Sequence, residues 1–430
     1  MTLTYLIHPV VGPKEKSSLS TRTADGKLAE LENLAKSIDL DSEGAEIINL
    51  SKVHPGTFLG KGNVDRLKGI ISSFDINLVI INAPLSPAQQ RNLEKSWNTK
   101  VIDRTNLILE IFGARAKTSE GSLQVELAAL NYQRSRLVRS WTHLERQRGG
   151  FGFVGGPGES QLELDRRMLE TRIENITKSL EKVKKTRGLH RKNRQKSYPV
   201  VALVGYTNAG KSTLFNRLTG ANVLAEDKLF ATLDPTLRLM KLPSTRNAIL
   251  SDTVGFISDL PTQLVTAFHA TLEEVTLADI ILHVQDVSHP EYLAQEKDVN
   301  QVLESLGIST HKNPKIITVY NKIDCLDELK GARFLGRAKR LKNAAAISAA
   351  TGLNCDVLLK KLDHLLSQSH HKIKIKLHAN EGNLLSWLYK HGQVLSISQK
   401  EDDIFIEVTL DEIEENRFNK IRQKSRLLES

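Results

Sequence analysis

One stretch narrows the choice of fold more than any other. The apolar run VVALV (200–204) leads directly into GYTNAGKST (205–213), and KSTLFNRL then has the spacing of a helix. A buried strand ending in G-x-x-x-x-G-K-S and opening a helix is the layout of a phosphate cradle. Backbone N–H groups must point inward there, which glycine permits, while the helix N-terminus and a lysine supply positive charge. Such a unit needs a sheet flanked by helices, so an α/β fold is expected, and 430 residues leave room for two to four domains. On this reading Gly205, Tyr206, Thr207, Asn208, Ala209 and Gly210 line the phosphates. Lys211 reaches the β- and γ-phosphates, and Ser212 places its hydroxyl on Mg2+.

Three later motifs follow in the order a nucleotide site requires. AILSDTVGF (248–256) is a strand ending in Asp252, then Thr253, Val254 and Gly255. A carboxylate at that strand end belongs in the Mg2+ shell, through water, and the Gly255 amide is open to a γ-phosphate. ITVYNKID (317–324) places Asn321, Lys322, Ile323 and Asp324 just beyond another strand. A buried Asp324 carboxylate accepts from guanine N1–H and the 2-amino group, whereas adenine offers no matching donors. AAAISAATG (344–352) adds Ser348, Ala349 and Ala350 near the base. The set therefore specifies a guanine nucleotide, with GTP as substrate and Mg2+ as cofactor. Between these motifs, LFATLDPT (229–236) reads as a flexible segment bringing Phe230, Ala231, Thr232, Leu233 and Asp234 to the nucleotide. Spacing leaves both Thr232 and Thr236 as candidates for a second Mg2+ hydroxyl. Phe256 stands where Ras-like switches carry the Gln that orients the attacking water, so slow intrinsic hydrolysis is implied. The water-orienting group stays unnamed; His269, on an amphipathic stretch at 262–275, reads as structural.

Charge points to a second kind of partner. Sixty Lys and Arg against 50 Asp and Glu give +10. The 66 residues from Tyr132 to Ser197 hold 17 basic and 7 acidic residues, so they carry the whole excess. Leu123, Leu127, Leu130, Leu137, Trp141 and Leu144 form one seam, with Arg134 in its missing slot. Leu162, Leu169, Ile173, Ile176, Leu180 and Val183 form a second, which predicts an antiparallel helical hairpin. Helices of about 24 residues would project the connecting loop roughly 35 Å. That loop, RGGFGFVGGPGES (148–160), contains a formal G-x-G-x-x-G, but a dinucleotide fingerprint must follow a strand and here an Arg-rich helix precedes it. Its aromatics and flanking guanidinium groups suit stacking on unpaired bases, and bare glycine backbone allows close approach. Arg148, Phe151, Phe153, Arg166 and Arg167 are the candidate RNA contacts, and KTRGLHRKNRQK (185–196) reads as a basic linker.

The rest of the chain organises around these features. Residues 1–117 alternate strands (3–7, 45–50, 78–82, 100–103) with helices (26–38, 62–74, 86–96, 105–116), which predicts an N-terminal α/β domain on a mainly parallel sheet. Residues 118–197 form the hairpin and linker, and 198–369 a central P-loop GTPase domain with a mixed sheet between helices. Residues 370–430 form a small α+β domain. FLGKGNVDRL (58–67) reads as a loop-to-helix junction rather than an adenine-nucleotide site. Two distant cysteines, Cys325 and Cys355, support neither a disulfide framework nor a zinc site and fit a reducing cytoplasm. No run approaches about 18 apolar residues, so no stable membrane insertion is expected.

Taken together, GYTNAGKSTL, LFATLDPT, DTVGF, NKID and the upstream GGFGFVGGPGESQLELDRR resemble the HflX family, in the Obg–HflX group of translation-factor-like P-loop GTPases. The resemblance covers nearly the whole chain and favours Thr232 as the Mg2+ ligand beside Ser212. It implies a cytoplasmic factor, monomeric off the ribosome, that binds the large (50S) ribosomal subunit and its RNA and separates stalled ribosomes into subunits. The alternative is a GTP-gated assembly factor or sensor that binds subunit precursors. Peripheral membrane association through the basic helices ranks last, since the chain shows no aromatic-rich amphipathic face or lipidation motif.

Overall fold

A computed structural model describes residues 2–12, 22–147, 157–195, 198–221, 229–230, 236–244, 246–259, 269–310, 313–367, 370–378, 380–400, 403–411, 415 and 417–422. The first unit runs β1 (Leu3–Val11), α1 (Ala24–Lys36), β2 (Asp41–Leu50), α2 (Lys61–Ser73), β3 (Leu78–Ile81), α3 (Pro87–Trp97), β4 (Lys100–Asp103) and α4 (Arg104–Arg115). Its four strands are all parallel, in the order β2-β1-β3-β4. Local chemistry fixes the helix starts. Ser86 and Gln89 form a capping box ahead of α3, Pro87 presets its first turn, and the Asp103 carboxylate caps α4. The junction at 58–67 is a loop entering α2 at Gly60, with Leu59 buried.

The helical hairpin consists of α5 (Ser119–Gln147) and α6 (Pro157–Gln195). Their 29 and 39 residues make them about 44 and 58 Å long at the α-helical rise, well beyond the expected 24 residues each. The expected linker at 185–196 lies in helix as far as Gln195. Lys, Arg, Gln and Leu are good helix formers, so the charge of this segment marks a solvated helix rather than a break. Along α6, Ile176 is buried and Leu169, Ile173, Leu180 and Val183 are half-buried, while the intervening described residues are mostly exposed. α5 has a second apolar face that the seam does not reveal: Val125 and Ala128 are buried in a cluster with Ile108 and Phe112 of α4.

The second parallel unit runs β5 (Val200–Gly205), α7 (Lys211–Thr219), β6 (Thr236–Lys241), β7 (Asn247–Asp252), α8 (His269–Thr276), β8 (Ile280–Asp286), α9 (Tyr292–Ser305), β9 (Ile316–Asn321), α10 (Glu328–Arg340), β10 (Ala344–Ala346) and α11 (Cys355–Ser367). Its sheet order is β10-β9-β8-β5-β7-β6, with only β6 antiparallel, so the sheet is mixed as expected. The unit at the C-terminal end places β11 (His370–His378), α12 (Gly382–His391), β12 (Gln393–Lys400) and β13 (Asp403–Asp411) in an antiparallel sheet, β11-β13-β12. One apolar cluster runs unbroken from Leu6, Leu31 and Phe112 through Val125 to Tyr206, Phe230, Phe256 and Val299. The first unit, α5 and the second unit therefore share a core.

Candidate functional site

β5, buried throughout, delivers the chain to Gly205, whose φ is +154° and where a side chain would strike the Val284 carbonyl of β8. Gly210 enters α7 with φ +91°, and a side chain there would meet the Asn321 amide. Both positions demand glycine. Lys211 is buried, and its Nζ donates to the Tyr206 carbonyl at 2.7 Å. Burial pulls its pKa down to about 8, opposed by the nearby Asp252 carboxylate. Ser212 Oγ donates to Asp252 Oδ2 at 2.7 Å, joining a hydroxyl from the start of α7 to a carboxylate from the end of β7. An oxygen-only pair of this kind suits a hard divalent cation such as Mg2+.

The segment after Asp252 lies against this cradle. Thr253 Oγ1 donates to the Leu203 carbonyl at 2.6 Å, and Val254 is buried. A side chain on Gly255 would come within 2.8 Å of the Thr207 methyl and 3.0 Å of Lys211 Nζ. Phe256 N–H donates to the Gly205 carbonyl at 3.1 Å, and Thr207 N–H donates to the Phe256 carbonyl at 2.8 Å. The Phe256 ring is buried in the shared core, so the side chain at the position of the Ras-like Gln is committed to packing. Phe230 is likewise turned to packing. Its ring meets Phe112 of α4 edge-on, with centroids 4.6 Å apart.

At the base end, Asn321 Nδ2 donates to the Ala209 carbonyl at 2.8 Å and its Oδ1 accepts from Ala349 N–H at 2.9 Å. One amide thus ties the cradle to the 348–351 loop. Lys322, at φ +63°, pairs with Asp286 at 2.7 Å. Asp324 is exposed, unlike the buried carboxylate that base reading by shape exclusion expects; it lies on the short turn Ile323–Cys325, in which only Ile323 is buried. Ser348 and Ala349 are buried and Ala350 is exposed. Arg217 of α7 braces this loop, with Nε donating to the Ala349 carbonyl at 2.6 Å and Nη2 to the Ala350 carbonyl at 2.5 Å. Sequence spacing gives no hint of that brace.

A second group unanticipated from sequence joins the two parallel units. Glu30 of α1 is buried and accepts from Arg104 Nη2 at 2.5 Å, Tyr206 Oη at 2.5 Å and Ser258 Oγ at 2.9 Å. Arg104 Nη2 also donates to the Ser258 carbonyl at 2.9 Å, and Tyr206 Oη accepts from Ser258 N–H at 2.7 Å. Arg22 pairs with Glu30 and Glu291, both at 3.3 Å, and with Asp298 at 3.1 Å, while its guanidinium covers the Tyr206 ring. Burial is the largest influence on the Glu30 carboxyl and pushes its pKa up. Arg104, Arg22 and the donated hydrogen bonds outweigh burial and hold it below the ordinary value.

Ala231, Thr232, Leu233 and Asp234 lie outside the described residues, as do Arg148, Phe151 and Phe153 and the side chain of His269. Thr236, the other hydroxyl candidate, opens β6 in register with Asp252. Arg166 and Arg167 are exposed on α6 and paired along the helix with Glu170 at 2.9 Å and Glu163 at 3.0 Å.

Family comparisons span this architecture. Residues 25–113 match the GTP-binding GTPase N-terminal family, 115–194 the GTP-binding GTPase middle region, 200–322 the 50S ribosome-binding GTPase family and 333–424 the HflX C-terminal domain. The chain is 49% identical over 377 residues to the GTPase HflX of Magnetococcus marinus, covering 87% of this chain and 86% of that one. The chain belongs to the HflX family of GTPases. The GTPase HflX of Escherichia coli is 45% identical over 366 residues, 84% of each chain. A solved GTP-binding protein from Sulfolobus solfataricus, in complex with GDP, is similar at 23% identity and a TM-score of 0.45, over 86% of this chain and 99% of that one. Membership in HflX carries GTP hydrolysis with it. No helix among the described residues is long and apolar enough to cross a membrane.

Proposed function

We propose that the chain is a Mg2+-dependent GTPase that docks on the large ribosomal subunit and separates stalled ribosomes into subunits. The observation that carries this reading is the concentration of the +10 excess in residues 132–197, the larger part of one long hairpin, joined to a complete guanine-nucleotide motif set. The working division is 1–117, 118–197, 198–369 and 370–430. In the nucleotide site, the amides of 205–212 hold the phosphates, Lys211 neutralises the β- and γ-phosphates, and Asn321, Asp324 and the 348–350 loop hold guanine. Ser212 and Thr232 hold Mg2+, with Asp252 acting through water, and the ion neutralises charge on the transferred phosphoryl group. Gly255 offers its N–H to the γ-phosphate. With Phe256 unable to orient water, hydrolysis stays slow until the ribosome supplies or positions the missing group. The hairpin tip, through Phe151, Phe153 and the flanking arginines, contacts ribosomal RNA.

Sucrose-gradient sedimentation of intact ribosomes tests this function. With GTP or a non-hydrolysable analogue, added protein should convert the 70S peak into subunits. An unchanged 70S peak at saturating protein would refute ribosome splitting.

A further inference from the structure

The GTPase unit has a charge asymmetry of its own, separate from the hairpin. α10 and the two residues after it, 328–342, hold six Lys or Arg and one Glu, a net of +5. The rest of 198–369 holds twelve Lys or Arg and seventeen Asp or Glu, a net of −5. Neutral overall, the unit thus has a net positive excess in one helical segment. The inner face of α10 is accounted for: Phe334, Leu335 and Ala338 pack in a small core with Val287, Tyr320 and Ile323. Two cations are used within the fold, Lys330 in a pair with Asp327 at 3.1 Å and Arg337 over the Tyr320 ring. Arg333, Lys339, Arg340 and Lys342 are exposed, and no carboxylate of the described residues pairs with them. Favourable interaction with the helix dipole accounts for cations in the last turn. It does not account for Arg333, Lys342 or the acidic remainder. Leu329, 86% exposed at the start of the helix, adds apolar surface beside the patch.

We propose that the outer face of α10 is a second RNA-docking surface, on the GTPase unit, which grips phosphate backbone of the large subunit independently of the hairpin. The inference rests on the reading that the protein acts on that subunit. Charge complementarity selects the occupant. The rest of the unit is net acidic and disfavours a polyanion, whereas this segment is net +5, and two guanidinium forks beside two ammonium groups suit phosphate oxygens. The patch has no aromatic platform and no amide to read base edges, so its contacts position the protein without selecting sequence.

The test compares full-length wild type with a triple variant, Arg333→Gln, Lys339→Gln and Arg340→Gln, none of which touches the nucleotide site. Unchanged basal GTP turnover establishes that the variant folds. Binding to purified large subunits is then measured from 50 to 200 mM salt. Three lost phosphate contacts should lower the log–log salt slope by about 2.7. Over that fourfold salt range, wild type should lose about fortyfold more affinity than the variant. Equal slopes and equal affinities overturn the proposal. If wild type itself fails to bind large subunits, the ribosome reading falls, and a double-stranded RNA probe decides the patch. Weaker RNA binding by the variant supports the patch, and equal binding overturns it. Selective loss of poly-glutamate binding, with RNA binding intact, assigns the face to an acidic protein and overturns the RNA assignment.

Discussion

The two larger sheets in this molecule present the carboxyl ends of their parallel strands to each other, and the two ends are furnished differently. In open α/β sheets that edge is where a ligand crevice forms. At the end of β5 the furnishing is backbone: Gly205 and Gly210 in conformations closed to other residues, one buried lysine and the start of α7. At the ends of β3 and β4 it is side chains: Asn82 accepting from Arg104 at 2.9 Å, with Arg104 reaching on to Glu30 and Ser258. The first edge suits a small anion that comes and goes. The second is filled by another part of the same chain, the segment after Asp252. Tyr206 belongs to both, its backbone carbonyl accepting from Lys211 and its hydroxyl bonding to Glu30. The edge that lacks a phosphate cradle thus grips the two segments that form one in its neighbour.

Breaking the side-chain edge should have the largest effect. Arg104→Ala leaves Glu30 buried without its shortest ion pair, and removing one partner of a buried pair costs about 3–5 kcal/mol. Calorimetric melting should show the first two units losing stability together, because their core is continuous. A loss below about 1 kcal/mol would mean that the network is decoration. Acid should weaken the same structure in two stages. His8 and His283 are each pulled down from 6.5 to about 4, first by burial and then by a lysine, Lys27 and Lys211 respectively. Between pH 6.5 and about 4 the unfolded chain binds protons there that the folded chain refuses, so stability falls as pH drops through that window. Glu30, held below 4.5, adds its loss at lower pH still, as the folded carboxylate is finally protonated. A flat stability profile from pH 7 to 4 would contradict both histidine assignments.

Breaking the backbone edge should cost about 100- to 1,000-fold in GTP turnover while leaving the side-chain edge intact. Lys211→Ala removes the charge aimed at the β- and γ-phosphates, and donors preorganised toward developing charge are worth that much. Because the ammonium is buried and its pKa is lowered, the variant should melt no lower than wild type. Single-turnover hydrolysis and a melt on one preparation separate the two edges. Normal turnover would remove the cradle assignment.

The two edges also differ in how far they can be read from sequence. Phosphate and guanine demand particular residue types at fixed spacing, so GYTNAGKS, DTVG and NKID are visible within a few residues each. The Glu30 network has no such local signature. Glu30 meets Tyr206 across 176 positions and Ser258 across 228, and each residue alone resembles an ordinary helix or loop residue. The hairpin falls between these cases. Its inner seams follow from apolar spacing, yet the second face of α5, Val125 and Ala128, needs a partner to become meaningful. The tail of α6 is obscured by charge, since basic composition suits a solvated helix and a linker equally. Motif position places Asp324, but its exposure depends on how the turn after β9 packs.

The smallest of these effects concerns how finely the backbone edge is tuned for its base. Arg217 comes from the helix that begins at the phosphate cradle, yet its guanidinium ends on the Ala349 and Ala350 carbonyls. Gly352 allows this approach, because a side chain there would come within 2.7 Å of the same guanidinium. With Asn321 holding Ala349 N–H from the other side, the loop is braced at both backbone polarities. Arg217→Ala removes two donors to neutral carbonyls at an exposed position, worth about 1 kcal/mol, so GTP affinity should fall roughly fivefold. The direction of the loss discriminates between roles. A brace for base recognition should narrow the GTP-to-ATP preference while leaving kcat near its original value, because the phosphates are held elsewhere. A merely structural arginine would lower GTP and ATP binding together, in step with the melting temperature. Arg217→Lys keeps the charge but cannot span both carbonyls with one planar fork, so it should recover only part of the preference. Competition binding with GTP, ITP and ATP reads wild type and both variants, and an unaltered GTP-to-ATP ratio in Arg217→Ala would assign loop positioning to Asn321 alone.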